Sequence, residues 1–252
     1  MKTLLRDGQW LKISAFLRNE PGVYAKNESK IRLFIEAVLW IMRSGAQWRF
    51  LPDEYGKWNS VYKRFAAWSD KGVWERFFTF CAGDPDMELL IPDSTVIRAH
   101  PCAAGALKKD GGQEKQALGR SRGGFSTKIH IAVDALGNPL KFILTPGQNH
   151  DITQAEALTG DFRPAAVPAD KGYDSDSYRQ YLRERTIEPV IPSRSGRKNP
   201  QDYDRHLYKE RHLVECFINK IKQFRRIFSR FDKLSERYLS FLHFAGALIW
   251  LR

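Results

Sequence analysis

The order of apolar patterns between residues 88 and 222 limits the fold more strictly than any other feature of the chain. The segment FSTKIHIAVD, residues 125–134, alternates apolar and polar side chains as a strand does. LGNP then supplies a turn and LKFILT a second strand, which together predict a β-hairpin. A strand at 88–97 precedes this hairpin, and helix, strand, helix, strand and helix follow it. The pattern therefore predicts an α/β fold in which one sheet contains both antiparallel and βαβ elements.

An RNase H-like domain has this order of elements, with a mixed sheet and flanking helices. Pro92 lies inside the first predicted strand, so we expect that strand to be broken or bulged there. Residues 100–124 are rich in glycine, small residues and basic residues, and are expected to form a loop. The apolar segment 238–251 is too short to cross a bilayer, which favours a buried terminal helix and no membrane partner.

The N-terminal part of the chain has a helical pattern instead. Apolar residues recur at helical spacing over 28–44, 59–69 and 73–80. Three short helices with basic exposed positions predict a small all-α module of the helix-turn-helix type. Lys63 and Arg64 lie away from the apolar face of the second helix and are the predicted DNA contacts of this module. An ordinary helical bundle would give the same pattern.

The change of pattern near Gly83 divides the chain into two predicted units. Residues 1–83 would form a DNA-binding helical domain, and residues 84–252 an RNase H-like catalytic domain. We expect the second unit to carry the chemistry, because its predicted strands end in acidic residues.

Charge and cysteine content point to a polyanionic partner in a reducing compartment. Lys and Arg number 41 against 29 Asp and Glu, a formal net charge of +12. A folded protein this basic usually binds nucleic acid. The three cysteines are scattered and lack the spacing of a zinc site or a disulfide framework, which fits a reducing cytosol.

Two aspartates follow apolar strand segments and precede turn signals: Asp93 in LIPDST and Asp170 in VPADKGY. If their strands are neighbours, the two carboxylates converge, which is unfavourable unless a cation lies between them. Oxygen ligands favour Mg²⁺ or Mn²⁺, and Glu215 on a following helix could supply a third carboxylate. Each aspartate alone could instead be an ordinary turn or cap residue.

The segment YKERHLVECFINKIK, residues 208–222, is predicted to form one helix. On a helical wheel, Tyr208, Arg211, Glu215 and Lys222 share a narrow face opposite the apolar residues. Arg226 extends this polar face, which would suit a DNA backbone. The alternative is an amphipathic surface helix whose outer face is simply charged.

The spacing of these four residues, Y-(2)-R-(3)-E-(6)-K, resembles the signature of bacterial insertion-sequence transposases of the DDE type, in the group of insertion sequence Five. The similarity covers roughly residues 28–251. Other segments that resemble this group are GAQWRFLP, WNSVYKRFAAW, DSTVIRAH, GRSRGGFSTKIH, LTPGQNHD and ADKGYDS. Members often carry a longer β-rich insertion before the glutamate helix, whereas only residues 193–206 lie there in this chain.

The resemblance implies an RNase H-like catalytic domain in which Asp93, Asp170 and Glu215 form the DDE triad and hold two divalent metal ions, Mg²⁺ or Mn²⁺. It also implies metal-dependent cleavage and transfer of DNA strands, binding to the terminal inverted repeats of the element and to target DNA, and a homodimer or higher oligomer on DNA. Tyr208, Arg211, Lys222 and Arg226 would then contact DNA. Two alternatives remain: another RNase H-like nuclease, or a decayed or non-catalytic DNA-binding protein.

Overall fold

A mixed β-sheet forms the centre of the molecule, and a group of N-terminal helices packs beside it. The computed structural model describes residues 5–24, 27–107, 115–121 and 123–252. The strands within these ranges are β1 (Leu90–Arg98), β2 (Gly119–Ser121), β3 (Gly124–Asp134), β4 (Pro139–Pro146), β5 (Ala166–Pro168) and β6 (Glu188–Val190).

The sheet has the RNase H-like topology that the sequence predicted. The strand β3 pairs antiparallel with both β1 and β4, and β6 pairs parallel with β5. A parallel bridge between Leu89 and Ala166 joins β1 to β5, so the order across the sheet is β4-β3-β1-β5-β6. The hairpin turn is fixed by Asp134, whose carboxylate accepts hydrogen bonds from the backbone N–H groups of Leu136 and Asn138 at 3.0 and 2.7 Å.

Most of the helices were anticipated in type and position, but the first, at residues 7–19, was not predicted. In the described residues they are α1 (Asp7–Asn19), α2 (Glu28–Ser44), α3 (Trp58–Asp70), α4 (Val73–Cys81), α5 (Ala155–Thr159), α6 (Asp176–Glu184), α7 (Arg205–Lys209), α8 (His212–Lys222), α9 (Arg225–Phe228) and α10 (Ser235–Trp250). Local signals explain both ends of α2. The Asn27 side chain accepts from the Lys30 N–H at the start, and Gly45 takes a left-handed conformation (φ 69°) at the end.

The last helix joins the N-terminal helices to the sheet. Phe241 of α10 stacks on Phe65 of α3, with 4.6 Å between ring centroids. On the sheet side, Phe78 of α4 lies 5.4 Å from Phe142 of β4. The N-terminal helices and one face of the sheet consequently share a single hydrophobic core. No helix in the described parts of the chain is long and apolar enough to cross a membrane.

Two local predictions were wrong. The strand β1 runs unbroken through Pro92, which pairs with Ala132. Proline fits in a strand where its missing N–H faces no ladder partner, and β1 meets β5 only at the Leu89–Ala166 bridge. The predicted helix over 208–222 is two helices, α7 and α8, because a turn at Glu210–Arg211 separates them.

The loop predicted at residues 100–124 is a loop only in part, because it contains β2. Residues 108–114 and 122 of this segment lie outside the described parts of the chain.

Candidate active site

Asp93 and Asp170 lie side by side at one level of the sheet. The bridge between Leu89 and Ala166 is parallel, and each aspartate lies four residues beyond its bridging residue. Asp93 lies in the central strand β1, whereas Asp170 follows β5 directly and begins a short 3₁₀ turn, Lys171–Tyr173. The Asp170 carboxylate accepts a hydrogen bond from the Gly172 N–H at 2.7 Å, which fixes that turn. The neighbouring strands that the sequence predicted therefore bring the two carboxylates together.

Arg211 connects Asp93 to Glu215. One guanidinium nitrogen, Nη2, lies 3.1 Å from Asp93 Oδ2 and 2.7 Å from Glu215 Oε1. Glu215 and Arg211 are one helical turn apart, so their contact follows from the spacing of four residues. Contact with Asp93 requires α8 to pack on β1, which its buried side chains Val214, Phe217 and Ile221 achieve. Packing of α8 thus carries the glutamate to the edge of the aspartate pair.

The site favours a positive charge. Burial raises the pKa of the Asp93 carboxyl, the Ser94 N–H and Arg211 oppose this shift, and the negative charges of Asp170 and Asp151 add to it. An aspartate with a raised pKa is one whose negative charge is poorly compensated, so a cation placed beside it is stabilised. Arg211 supplies part of that compensation.

Tyr173 lies under the same carboxylates. Its side chain is fully buried, and its hydroxyl has no hydrogen-bond partner among the described residues. Burial raises the pKa of this phenol well above its ordinary value, and the charges of Asp151, Asp93 and Asp170 raise it further. The hydroxyl therefore stays protonated close to the negative charges of these three aspartates.

Asp151 is a carboxylate of this region whose placement the sequence did not reveal. The sequence placed it only within the segment LTPGQNHD, yet Asp151 Oδ1 accepts from Ser94 Oγ at 2.7 Å and from Lys128 Nζ at 2.9 Å. Burial opposes ionisation, but these two hydrogen bonds and the charge of Lys128 hold its pKa below the usual value. Ser94, the residue next to Asp93, is thereby anchored to the ion pair of Asp151 and Lys128 on the other face of the sheet.

His130 lies beside this pair. Its side chain is fully buried, its Nε2 lies 2.8 Å from Thr145 Oγ1, and burial lowers its pKa to about 4. It is therefore neutral at ordinary pH and acts as a packing and hydrogen-bonding residue.

The carboxylates do not form a closed metal cage. No group of three or more His, Cys, Asp or Glu in the described residues could hold a metal ion. The reason is visible in the geometry, because the Arg211 guanidinium lies between Asp93 and Glu215. The donor set itself consists of carboxylate oxygens around a position that attracts a cation, which is the chemistry that Mg²⁺ and Mn²⁺ prefer.

The other predicted contact residues lie at different distances from the acids. Tyr208 is half-buried near the end of α7; burial raises its pKa, Arg211 opposes this shift, and Asp170, Tyr203 and Glu215 add to it. Lys222 is half-buried at the last position of α8, about 10.5 Å along the helix axis from Glu215. Lys63 and Arg64 are both exposed on α3.

Arg226 is not available for DNA, so that prediction was wrong. Its guanidinium is buried and bonded to both oxygens of Asp232, at 3.1 and 2.8 Å. It also donates to the Ala46 carbonyl oxygen at 3.2 Å, which ties α9 to the end of α2. The helical wheel failed because α8 ends at Lys222 and the backbone at Phe224 is extended. Arg226 is therefore a structural residue of the junction between the helical region and the sheet.

We expect Arg226→Ala to destabilise the protein by about 3–5 kcal/mol, because it leaves the buried Asp232 carboxylate without its partner. Thermal or urea unfolding of the full chain measures this loss. The double variant Arg226→Met/Asp232→Leu removes both charges and should recover most of it. A single variant with unchanged stability but weakened DNA binding would instead support a direct DNA contact.

Two family models match the chain, one for each of its parts. Residues 5–78 match a model for transposases assigned to the IS4/5 family, and residues 84–248 match the model described as "Transposase DDE domain". The second match covers more than half of the chain. The chain therefore belongs to the DDE transposases, and it is an enzyme of the insertion-sequence type, as the resemblance implied. Enzymes of this family use divalent metal ions.

Individual relatives agree with this assignment. The chain is 41% identical over 133 residues to the protein assigned as transposase of insertion sequence element IS6501 in Brucella ovis, which covers 51% of this chain and 100% of that protein. It is 36% identical over 135 residues to the corresponding IS402 protein of Burkholderia cepacia, covering 49% of this chain and 62% of the relative. Similarity to the solved piggyBac transposase synaptic complex with hairpin DNA is weaker, with a TM-score of 0.43, 13% identity, and coverage of 75% and 48% of the two chains.

Proposed function

We propose that this transposase cuts DNA at the terminal inverted repeats of its own element and joins the ends to target DNA, using Asp93, Asp170 and Glu215. The observation that carries the proposal is the convergence of three carboxylates from β1, the end of β5 and α8, with Arg211 bridging two of them. Each comes from a separate element: Asp93 from the central strand, Asp170 from the carboxyl end of the neighbouring strand β5, where catalytic residues of open α/β sheets gather, and Glu215 from the helix packed on β1.

Asp93, Asp170 and Glu215 would hold a pair of Mg²⁺ or Mn²⁺ ions once the Arg211 guanidinium leaves its position between Asp93 and Glu215. Such ions, when bound, would activate the attacking oxygen and stabilise the leaving oxygen of an in-line phosphodiester displacement. Arg211 neutralises Asp93 and Glu215 in the free protein and would be free to contact a DNA phosphate once released from them. The all-carboxylate donor set and the raised pKa of Asp93 support this assignment.

The other residues of this face hold the DNA. Lys222, two helical turns beyond Glu215, would contact a phosphate beside the scissile one. Tyr208, near the end of α7, could donate a hydrogen bond to the same strand or stack on a base. These roles depend on α7 and α8 keeping their relative orientation across the turn at Glu210–Arg211.

The N-terminal helices would bind the terminal repeat. A cavity of about 190 Å³ between α2 and α3 is lined by the cationic side chains of Lys30, Lys57 and Arg64 and by Tyr55 and Ser60. The guanidinium carbon of Arg64 lies 5.2 Å from the centroid of the Phe34 ring, so the charged group packs over the ring while the residue stays exposed. Because these helices share their core with α10, we propose residues 1–83 and 84–252 as functional units within one packed molecule.

Replacing Lys63 and Arg64 together with alanine removes two phosphate contacts. The slope of log affinity against log salt concentration should therefore become smaller by about two, whichever DNA sequence is offered. Fluorescence anisotropy of the full chain at several salt concentrations measures the slope. The matched control is Lys198→Ala/Arg163→Ala, which removes two exposed charges far from α3. An unchanged slope for the α3 variant would place the terminal-repeat contact elsewhere.

Divalent-metal-dependent nicking at the ends of the element distinguishes this proposal from its alternatives. Another RNase H-like nuclease would cut without preference for the terminal repeat. A non-catalytic DNA-binding protein would bind the repeat and leave it intact. We further propose that the protein works as a homodimer or higher oligomer on DNA, in the bacterial cytoplasm at the nucleoid. Sedimentation of the protein with one and two repeat ends tests the assembly.

A further inference from the structure

A second cationic site lies beside the turn that carries Asp170. A cavity of about 350 Å³ opens next to this turn, and its polar lining comes from Lys128, His150, Asp151, Thr153 and Arg194. Gly172, whose N–H donates to the Asp170 carboxylate, forms part of the same wall. Any group bound in the cavity is therefore next to the backbone that fixes Asp170.

Arg194 is held rigidly against this wall. Its Nε donates to the Lys171 carbonyl oxygen at 3.0 Å, and its Nη2 donates to the Gly172 carbonyl oxygen at 2.8 Å. Its backbone N–H donates to Asp174 Oδ2 at 2.9 Å, which fixes the start of the side chain as well. These contacts leave Nη1 for a ligand. An arginine immobilised in this way loses little conformational entropy when it binds a planar or tetrahedral anion.

The charges around the cavity set Arg194 apart from its neighbours. Lys128 is paired with Asp151, and Arg197 is paired with Asp174 and Asp176. Within the part of the chain that the structure describes, no carboxylate lies within ion-pair distance of the Arg194 guanidinium. Its partners are carbonyl oxygens alone, and the residue is exposed. A cation fixed in place without a counter-charge is suited to an external anion.

The cavity and α8 lie on opposite faces of the sheet. Asp93 pairs with Ile131, which belongs to the core shared with α8 and the N-terminal helices. Lys128 is paired with Val96, three positions from Asp93, so both side chains lie on the other face. Asp93 and the helix that carries Lys222 therefore lie on one face of the sheet, and the cavity with Arg194 lies on the other. DNA held by the N-terminal helices and α8 would occupy the first side and leave the second free.

We propose that this cavity binds a backbone phosphate of a second DNA segment, with Arg194 as its main ligand. The inference rests on the proposed function and extends it to the DNA that meets the cleaved end. The ligand chemistry is a phosphodiester, which could belong to target DNA or to the DNA flanking the element. We favour target DNA, because the site faces away from the helices that would hold the element end.

The test compares Arg194→Gln with wild type in the full chain. In the first measurement, binding of a duplex without the terminal repeat is followed against salt concentration. We expect a slope smaller by about one for Arg194→Gln. Arg194→Lys keeps the charge and should retain the slope. The matched control is Arg163→Gln, because Arg163 is an exposed arginine shortly before β5 that also donates to a carbonyl oxygen, that of Phe162.

The second measurement separates the two DNA sources. With pre-cut element ends and target DNA, Arg194→Gln should lower the rate of strand transfer by about tenfold, the scale of one charge-assisted hydrogen bond. Cleavage of intact element ends should fall less. If cleavage falls at least as much as transfer, the phosphate belongs to flanking DNA, and the site stands with that ligand.

Two results would overturn the proposal. One is a salt slope for Arg194→Gln equal to that of wild type and of Arg163→Gln. The other is an equal loss of transfer in Arg194→Lys and Arg194→Gln with unchanged slopes, because that pattern means that Arg194 only supports the turn at 171–172. The binding measurement needs no catalysis. An inactive wild-type enzyme would therefore count against the proposed function while the salt slope still decides the fate of this site.

Discussion

Asp93→Asn is expected to lower the rate of DNA strand cleavage by about a thousandfold or more, the scale on which the loss of a group acting in the chemical step is measured. Asn keeps the size of the side chain and can still accept from the Ser94 N–H, as the carboxylate does at 2.7 Å. It cannot supply the negative charge that a divalent cation requires. Folding should be preserved, because the variant removes an unfavourable buried charge near Asp170 and Asp151.

Single-turnover cleavage of a labelled element end measures this effect, with binding of the same DNA measured in parallel. Asp161→Asn is the matched control, since Asp161 is exposed and paired with Lys141 away from the site. The control should cut at the wild-type rate. Cleavage by Asp93→Asn at a near wild-type rate would show that this carboxylate has no part in the chemistry.

Glu215→Gln should also stop cleavage while leaving DNA binding nearly intact. The side chain is more than half exposed, with 56% of its surface accessible, so its role in stability is small. Its ion pair with Arg211 is a surface contact worth at most about 1 kcal/mol. A large loss of activity with little loss of stability would therefore separate a catalytic role from a structural one. Cleavage at matched DNA occupancy, together with thermal unfolding, gives both values.

Variants of the lysines on α8 provide the comparison for this glutamate. Lys222→Ala keeps the carboxylates and removes one phosphate contact, so we expect a milder loss of cleavage and a smaller salt slope of DNA binding. Lys222→Arg should be milder still, because the charge remains. Lys220→Ala is the control from the exposed side of the same helix turn. If Glu215→Gln cut as well as wild type and Lys220→Ala at matched DNA occupancy, the helix would be a surface element without a catalytic residue.

The sequence was sufficient where local pattern and register decide the structure. Alternation identified the hairpin of β3 and β4, and the strands that precede Asp93 and Asp170 proved to be neighbours. Spacing along one helix turn placed Arg211 beside Glu215. These features depend on periodicity, which a single sequence displays.

Features that depend on distant parts of the chain could not be read in this way. The contact of Arg211 with Asp93 joins residues 118 apart in sequence, and the contact of Asp151 with Ser94 joins residues 57 apart. The helical wheel also assumed an unbroken helix. Turns at Glu210–Arg211 and Phe224 changed the direction of the chain, which carried Arg226 into a buried pair with Asp232. Arg194 escaped notice because a basic loop residue shows its fixed geometry only in three dimensions.

The most direct test of the central claim is whether Asp93, Asp170 and Glu215 act as one site. Cleavage rates of the three single variants, each to the corresponding amide, are compared with that of the triple variant at matched DNA occupancy in Mg²⁺. Residues that act as a unit are strongly non-additive, so each single variant should already fall to the level of the triple variant. If any single variant cuts near the wild-type rate, or if the three losses simply add, the carboxylates do not form one catalytic site.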